Sequence, residues 1–352
     1  MAKVAVIPGD GVGKEVTREA LKALRAVLDG SGFDLDLVEW PHGADRYLET
    51  GEAITDAEFD DLRQNYQAIL LGALGDARVP GNEHARQILL GMRFRLDLFV
   101  NFRPVRLFHE RLTPLRDKGP DDVQMVIFRE NTEGVYVGMG GNFKQGTPDE
   151  VAVQEDVNTR KGVERIIRAA FEYARANGLT RVTMSDKANA MEFAGGLWRR
   201  VFKIVAAEYA DIESEALYVD MLAMDMVRRP ERYQVIVTGN LFGDILSDLG
   251  AQLAGGLGLS PSGNIHPGRI GLFEPVHGSA PDLAGKDLAN PFAAVLTAGL
   301  MLEHLGRPAE AVRMENAVRA CIEAGETTAD LGGTLGTAAA GDAIVRRLQA
   351  SA

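Results

Sequence analysis

Lys3-Val4-Ala5-Val6-Ile7-Pro8-Gly9-Asp10-Gly11-Val12-Gly13-Lys14 opens the chain with an apolar run that stops at a proline and three alternate glycines. The run reads as a strand and the glycines as a turn, because glycine alone adopts a left-handed backbone at no steric cost. Val16, Ala20, Leu24 and Val27 then recur at helical spacing until Gly30 stops them. The spacing G-x-G-x-x-G of a dinucleotide-binding turn fails here, since position 14 is Lys14. A strand, turn and helix that are not the classical Rossmann unit are the expectation.

The same alternation runs to the end of the chain. Short apolar strands are expected at 68–71, 123–128, 181–184, 215–219 and 234–238, and helices at 161–177, ended by Gly178, and at 197–209. This order predicts an α/β fold with a largely parallel sheet, and 352 residues suit two domains or one large α/β unit. The stretch 134–156 has glycines, a proline and a short alternating strand but no helical period, so a protruding hairpin-like arm is expected there. Its apolar residues need cover, which favours an interlocking dimer contact over a free loop. The tail from 307 reads as helices separated by the turn-rich TADLGGTLGT.

A formal charge of −12 disfavours nucleic acid or an anionic membrane as partner, and no apolar run is long enough to span a bilayer. The first residues read as a strand rather than an export signal, and the single cysteine, Cys321, cannot form an internal disulfide, so a cytoplasmic location is expected.

Chemistry concentrates where strands end. In Gly239-Asn240-Leu241-Phe242-Gly243-Asp244-Ile245-Leu246-Ser247-Asp248, a strand end running into a helix, Asp244 and Asp248 lie one turn apart on one face. A divalent cation would relieve their repulsion, and all-oxygen ligands suit Mg²⁺ or Mn²⁺. Asp220, after another strand, is a third candidate ligand, although a helix cap and a solvated aspartate would explain the pair alone. Arg93, Arg95, Arg103 and Arg106 are interleaved with apolar residues, and Arg129 follows the strand VQMVIF. Guanidinium groups near buried surface match carboxylates bidentately, so a diacid or phosphate is a sensible ligand, with surface ion pairs as the other reading. Lys187 follows the strand RVTM as a candidate base, and Tyr136 is a candidate proton donor.

Taken together, PGDGVG, LDLFVNFRPV, RENTEGVY, DKAN, GNLFGDILSDL and FEPVHGSAPDLAGKDLANP resemble, in order and spacing, the β-decarboxylating dehydrogenases that act on isopropylmalate, isocitrate, homoisocitrate, tartrate and malate. The resemblance implies a two-domain α/β fold, with a cofactor-side domain of 1–98 and 256–352 and a central substrate and dimerisation domain of 99–255. It implies a homodimer with a composite active site, in which Arg93, Arg103 and Arg129 hold the substrate carboxylates. Asp220, Asp244 and Asp248 would bind the metal, and Lys187, Asn189 and Asp220 would come from the partner subunit. Lys187, through a water, would take the 2-hydroxyl proton as hydride leaves C2 for NAD, and Tyr136 would protonate C3 after carboxylate loss. The loop formed by His277, Gly278, Ser279, Ala280, Pro281 and Asp282 and continuing to Asn290 would hold NAD, with the Asp282 carboxylate on the ribose hydroxyls and against a 2′-phosphate.

Leu89 and Leu90, one turn before Arg93, suit an isopropyl group, so the resemblance leans toward an isopropylmalate-type diacid and leucine biosynthesis. Such contacts discriminate by only about 1–3 kcal/mol, and NFRPVRLF and the arm GGNFKQGTPDEV keep a tartrate or D-malate substrate open. One departure stands out: the family's glutamate near the nicotinamide is replaced by Arg86 or displaced to Glu83. A metal-dependent phosphohydrolase or phosphate-binding protein is the reading from another class, and it predicts no NADH signal.

Overall fold

The computed structural model describes residues 1–350, which divide into two compact units, 1–98 with 106–120 and the residues from 251 on, and 99–105 with 121–250. Residues 106–120 and 251–255, assigned from sequence to the central part, belong to the first unit instead. The cause is tertiary for the first of these segments. Phe108 is buried in the first unit's core, Arg106 pairs with Glu315, and Arg111 donates to the backbone oxygens of Leu331 at 2.6 Å and Ile322 at 2.8 Å.

In the first unit the strands lie in the order β2 (Leu35–Glu39), β1 (Ala2–Gly9), β3 (Ala68–Ala73), β12 (Gly271–Pro275) and β11 (Pro261–Ile265). All neighbours are parallel except the β11 and β12 pair. Both faces of β1 and β3 are largely buried, which is why these two read as unbroken apolar runs. Val4 and Val6 pack with α1 (Gly13–Leu28), α10 (Phe292–His304), α11 (Pro308–Glu323) and α12 (Thr337–Ala350). Ala5 and Ile7 face the other way, toward Phe59 and Leu62 of α3 (Asp56–Asn65). Two short helices, α2 (Ala44–Thr50) and α4 (Glu83–Ala85), follow strand ends, and a π-helical turn over Arg86–Leu90 joins α4 to α5 (Gly91–Arg95).

The opening glycine turn is a structural hub. Gly9 and Gly11 take φ of 72° and 52°, and Asp10 between them accepts from the amides of Ala44 at 2.7 Å and Gly75 at 2.9 Å and bonds His84 Nε2 at 2.8 Å. The Val12 amide donates to the Ser279 carbonyl at 2.8 Å, and a Cβ on Gly11 would stand 2.1 Å from that oxygen. Glycine is required by backbone contact as well as by φ.

The second unit carries β4 (Val100–Arg106), β5 (Gln124–Glu130), β10 (Val235–Thr238), β8 (Arg181–Asp186) and β9 (Glu213–Tyr218), in that order. From β5 to β9 the pairing is parallel, and its register sets Arg129 beside Thr238, Thr238 beside Ser185, and Asp186 beside Tyr218. The residues that leave these strands, including Asn240, Lys187 and Asp220, therefore emerge along one carboxyl edge, where parallel sheets present ligands. The covering helices are α6 (Arg160–Ala176), α7 (Glu192–Ala206), α8 (Val219–Arg228) and α9 (Asn240–Leu253).

Thr159 caps α6 by accepting from the Gly162 amide at 3.0 Å. The helix expected at 197–209 begins earlier, at Glu192, because the Lys187 carbonyl accepts from the amides of Ala190 and Met191 and starts the winding. The glycine pair 195–196 hid that start from the periodicity. Gly195 is there because a Cβ would stand 2.5 Å from Ala188 Cα, so α7 sits directly on the turn bearing Lys187. The arm is a two-stranded antiparallel hairpin, β6 (Gly140–Phe143) and β7 (Val151–Gln154), exposed along its length. Among the described residues no helix is long and apolar enough to cross a membrane.

Candidate active site

β4 presents Asn101 and Arg103 two residues apart, Arg129 is the penultimate residue of β5, and β10 delivers the first turns of α9. These three elements converge on Asp244. One of its oxygens accepts from Arg129 Nη1 at 2.5 Å and pairs with Arg103 Nη1 at 3.4 Å, and the other accepts from the Tyr136 hydroxyl at 2.9 Å. The Tyr136 ring also lies 5.1 Å from the Arg129 guanidinium carbon.

Both guanidiniums are buried and held from behind. Arg129 donates Nε and Nη2 to Asn240 Oδ1 at 3.0 and 2.8 Å, and Arg103 donates to Asn101 Oδ1 at 2.7 Å and Ser247 Oγ at 2.6 Å. Forks fixed in this way hold each guanidinium in one orientation. The Arg129 stem crosses the first turn of α9 at Gly243, where a Cβ would stand 2.5 Å from Arg129 Cγ.

Asp248, one turn beyond Asp244, has a side chain 55% exposed and 3.5 Å from Arg103. Partial burial raises its pKa, the Arg103 charge opposes this, and the Asp244 carboxylate raises it further. Two hard oxygen donors one helical turn apart, with Asp248 largely exposed, fit a Mg²⁺ or Mn²⁺ ion. Asp220 does not join them: it lies in the first turn of α8 and pairs with Lys187 at 2.8 Å, a contact that lowers its pKa. No cluster of three potential ligands forms within the chain among the described residues. Lys187 lines a small cleft with Asn158, Trp198 and Asn240, and Asn189 beyond it is exposed.

In the first unit Arg93 is 5% exposed and donates Nη2 to Glu274 at 3.0 Å, while Leu89 and Leu90 lie half-buried in the π-helical turn. Arg95 and Arg106 instead form exposed pairs with Asp56 and Glu315. The four interleaved arginines are thus two buried groups and two ordinary ion pairs. Arg86 and Glu83 both lie at the surface, 3.6 Å apart.

The 277–290 loop buries Ser279 and Asn290 and exposes Gly278, Pro281 and Asp282, with Ala280 at φ 38°. Asn290 is fixed by Asp330 at 2.9 Å and by the Phe292 amide. Burial lowers the His277 pKa; its Nδ1 faces the Gly278 carbonyl at 3.0 Å, and its Nε2 is buried with no partner. A neutral imidazole whose Nε2 accepts, beside exposed backbone, suits the donor groups of a nucleotide. Asn101, Asn240, Ser247 and Glu274 were not singled out from sequence. Strand periodicity put Asn101 on the face of Arg103, but nothing local linked Glu274 to Arg93 across 181 positions.

A family model described as isocitrate/isopropylmalate dehydrogenase matches residues 3–344. The 3-isopropylmalate dehydrogenase of Thermobifida fusca (strain YX) is 48% identical over 98% of this chain and 97% of its own. That of Corynebacterium jeikeium (strain K411) is 47% identical over 99% and 100%. A solved structure titled isocitrate dehydrogenase, from Methylococcus capsulatus, superposes with a TM-score of 0.90 at 40% identity, covering 99% of this chain and all of that one. The chain belongs to the isocitrate/isopropylmalate dehydrogenase family.

Proposed function

We propose that this chain oxidises and decarboxylates 3-isopropylmalate to a 2-keto acid, with NAD as acceptor and Mg²⁺ or Mn²⁺ as metal, as a cytoplasmic homodimer serving leucine biosynthesis. The observation that carries the reading is Asp244 held by Arg103, Arg129 and Tyr136, with Asp248 one turn beyond. Relatives that bear the 3-isopropylmalate dehydrogenase name across nearly their whole length support the substrate, as do Leu89 and Leu90.

Arg103 and Arg129 bind and orient the diacid carboxylates, and the family resemblance assigns Arg93 to the same substrate. Asp244 and Asp248 would hold the metal with the partner subunit's Asp220, and the 277–290 loop would hold NAD. When bound, the cation supplies positive charge for the developing oxyanion, and NAD⁺ supplies the hydride acceptor. The partner subunit's Lys187 takes the 2-hydroxyl proton, and Tyr136, already oriented by Asp244, delivers one to C3. The dimer is supported by large apolar side chains that are each exposed: Met221 and Met224 on α8, Leu241 and Ile245 on α9, and Phe143, Val151 and Val153 on the arm. An exposed Asp282 supports NAD over NADP, since a carboxylate repels a 2′-phosphate.

The test is NAD⁺ reduction, followed as NADH absorbance, across 3-isopropylmalate, D-malate, tartrate, isocitrate and homoisocitrate. The highest kcat/KM is expected with 3-isopropylmalate, abolished by EDTA and restored by Mn²⁺. A higher value with isocitrate or D-malate overturns the substrate; no NADH with any diacid overturns the reading.

A further inference from the structure

Arg93 is a buried cation that donates to the Glu274 carboxylate, whose Oε1 also accepts from Asn264 Nδ2 at 3.0 Å. Asn264 is fully buried and braced on the Leu272 carbonyl, and the Glu274 backbone oxygen accepts from Ser262 Oγ at 2.7 Å. The support therefore runs across the β11 and β12 hairpin and ends on one edge of the guanidinium. Arg93 Nε is buried without an acceptor, so the fork is held at one corner rather than saturated. A buried arginine held this way keeps its orientation, and the carboxylate behind it offsets part of its charge.

We infer that Glu274 is a positioning residue for the diacid: it aims Arg93 and attenuates its charge, so that one substrate carboxylate is bound in a set orientation without being held too tightly for release. The inference rests on the proposed role of Arg93. It assigns two separable effects to one side chain, and they have opposite signs.

Glu274→Gln keeps an oxygen acceptor for Arg93 but removes the negative charge. Glu274→Ala removes both. With NAD⁺ and Mn²⁺ saturating, Glu274→Gln is expected to lower KM for 3-isopropylmalate about threefold, because the guanidinium charge is no longer offset. Glu274→Ala is expected to raise KM about tenfold, because the fork is no longer aimed. Both shifts should recur with D-malate by the same factor, since a carboxylate contact is indifferent to the alkyl group, and Kd for NADH, read by fluorescence, should stay at the wild-type value.

A purely structural Glu274 would move the two KM values in the same direction or not at all while lowering thermal stability in both variants, and that result overturns the inference. Should Glu274→Ala fail to fold, Glu274→Gln decides alone: a KM at or above wild type overturns it. Arg93→Lys is measured in parallel. If it leaves KM unchanged, the substrate role of Arg93 fails; if it raises KM while the Glu274 variants do not diverge, the positioning role alone fails.

Discussion

Tyr136 donates its phenolic hydrogen to Asp244 Oδ2 at 2.9 Å, on the carboxylate whose other oxygen is taken by two arginines. The hydroxyl is thus aimed by an acceptor that cannot rotate away. Tyr136→Phe keeps the ring contact with Arg129 and loses the proton and its aim. We expect kcat to fall about 10²- to 10⁴-fold with KM for the diacid nearly unchanged, read from steady-state NADH production.

Gly243 is where the Arg129 stem passes over α9. Gly243→Ala inserts a methyl 2.5 Å from Arg129 Cγ, against a side chain pinned at its far end by Asn240. Overpacking of this kind costs about 1–3 kcal/mol, and the displaced guanidinium should raise KM for the diacid about tenfold. Denaturant unfolding and steady-state kinetics on the same preparation check both.

A composite site predicts complementation between inactive chains. Tyr136→Phe and Lys187→Ala homodimers should each be nearly inactive, and an unfolded and refolded equal mixture should regain about a quarter of wild-type activity, since half the dimers are mixed and each has one intact site. An inactive mixture that has formed mixed dimers, verified by differently sized tags, would sink the composite site.

Glu58 predicts an acid limb in stability. Burial pushes its pKa up, but hydrogen bonds from Arg46 and from the Thr55 amide and hydroxyl outweigh it and bring the carboxyl from 4.5 to about 2. A depressed folded pKa contributes stability that is fully present above 4.5 and is lost as pH falls toward 2. Glu58→Gln should cost about 2–3 kcal/mol at pH 7 and flatten the decline between those pH values, as followed by thermal unfolding.

Much of this architecture was legible because the chain announces it locally. The glycine turn after β1, the stop at Gly178 and the one-turn spacing of Asp244 and Asp248 are short-range signals, and each corresponds to a backbone requirement now visible at Gly11, α6 and α9. The start of α7 was missed because Gly195 and Gly196 speak against a helix, and the packing on Ala188 that demands Gly195 is tertiary. The placement of 106–120 was missed for the same reason, since Arg111 is satisfied by carbonyls more than 200 positions away. Residue type alone did not predict which arginines are buried, because that depends on which side of an element each occupies. Arg93 and Arg95 are alike in sequence, yet one is enclosed with Glu274 and the other pairs with Asp56 at the surface.

The first unit is assembled from both ends of the chain, whereas nearly all of the second is one continuous run, 121–250. During synthesis the ribosome releases that run while β11, β12 and α10 to α12 are still unmade, so the arm and the apolar faces of α8 and α9 exist before β3 can gain its β12 neighbour. The middle of this protein can therefore be fully translated while its opening strands still wait for their last neighbours.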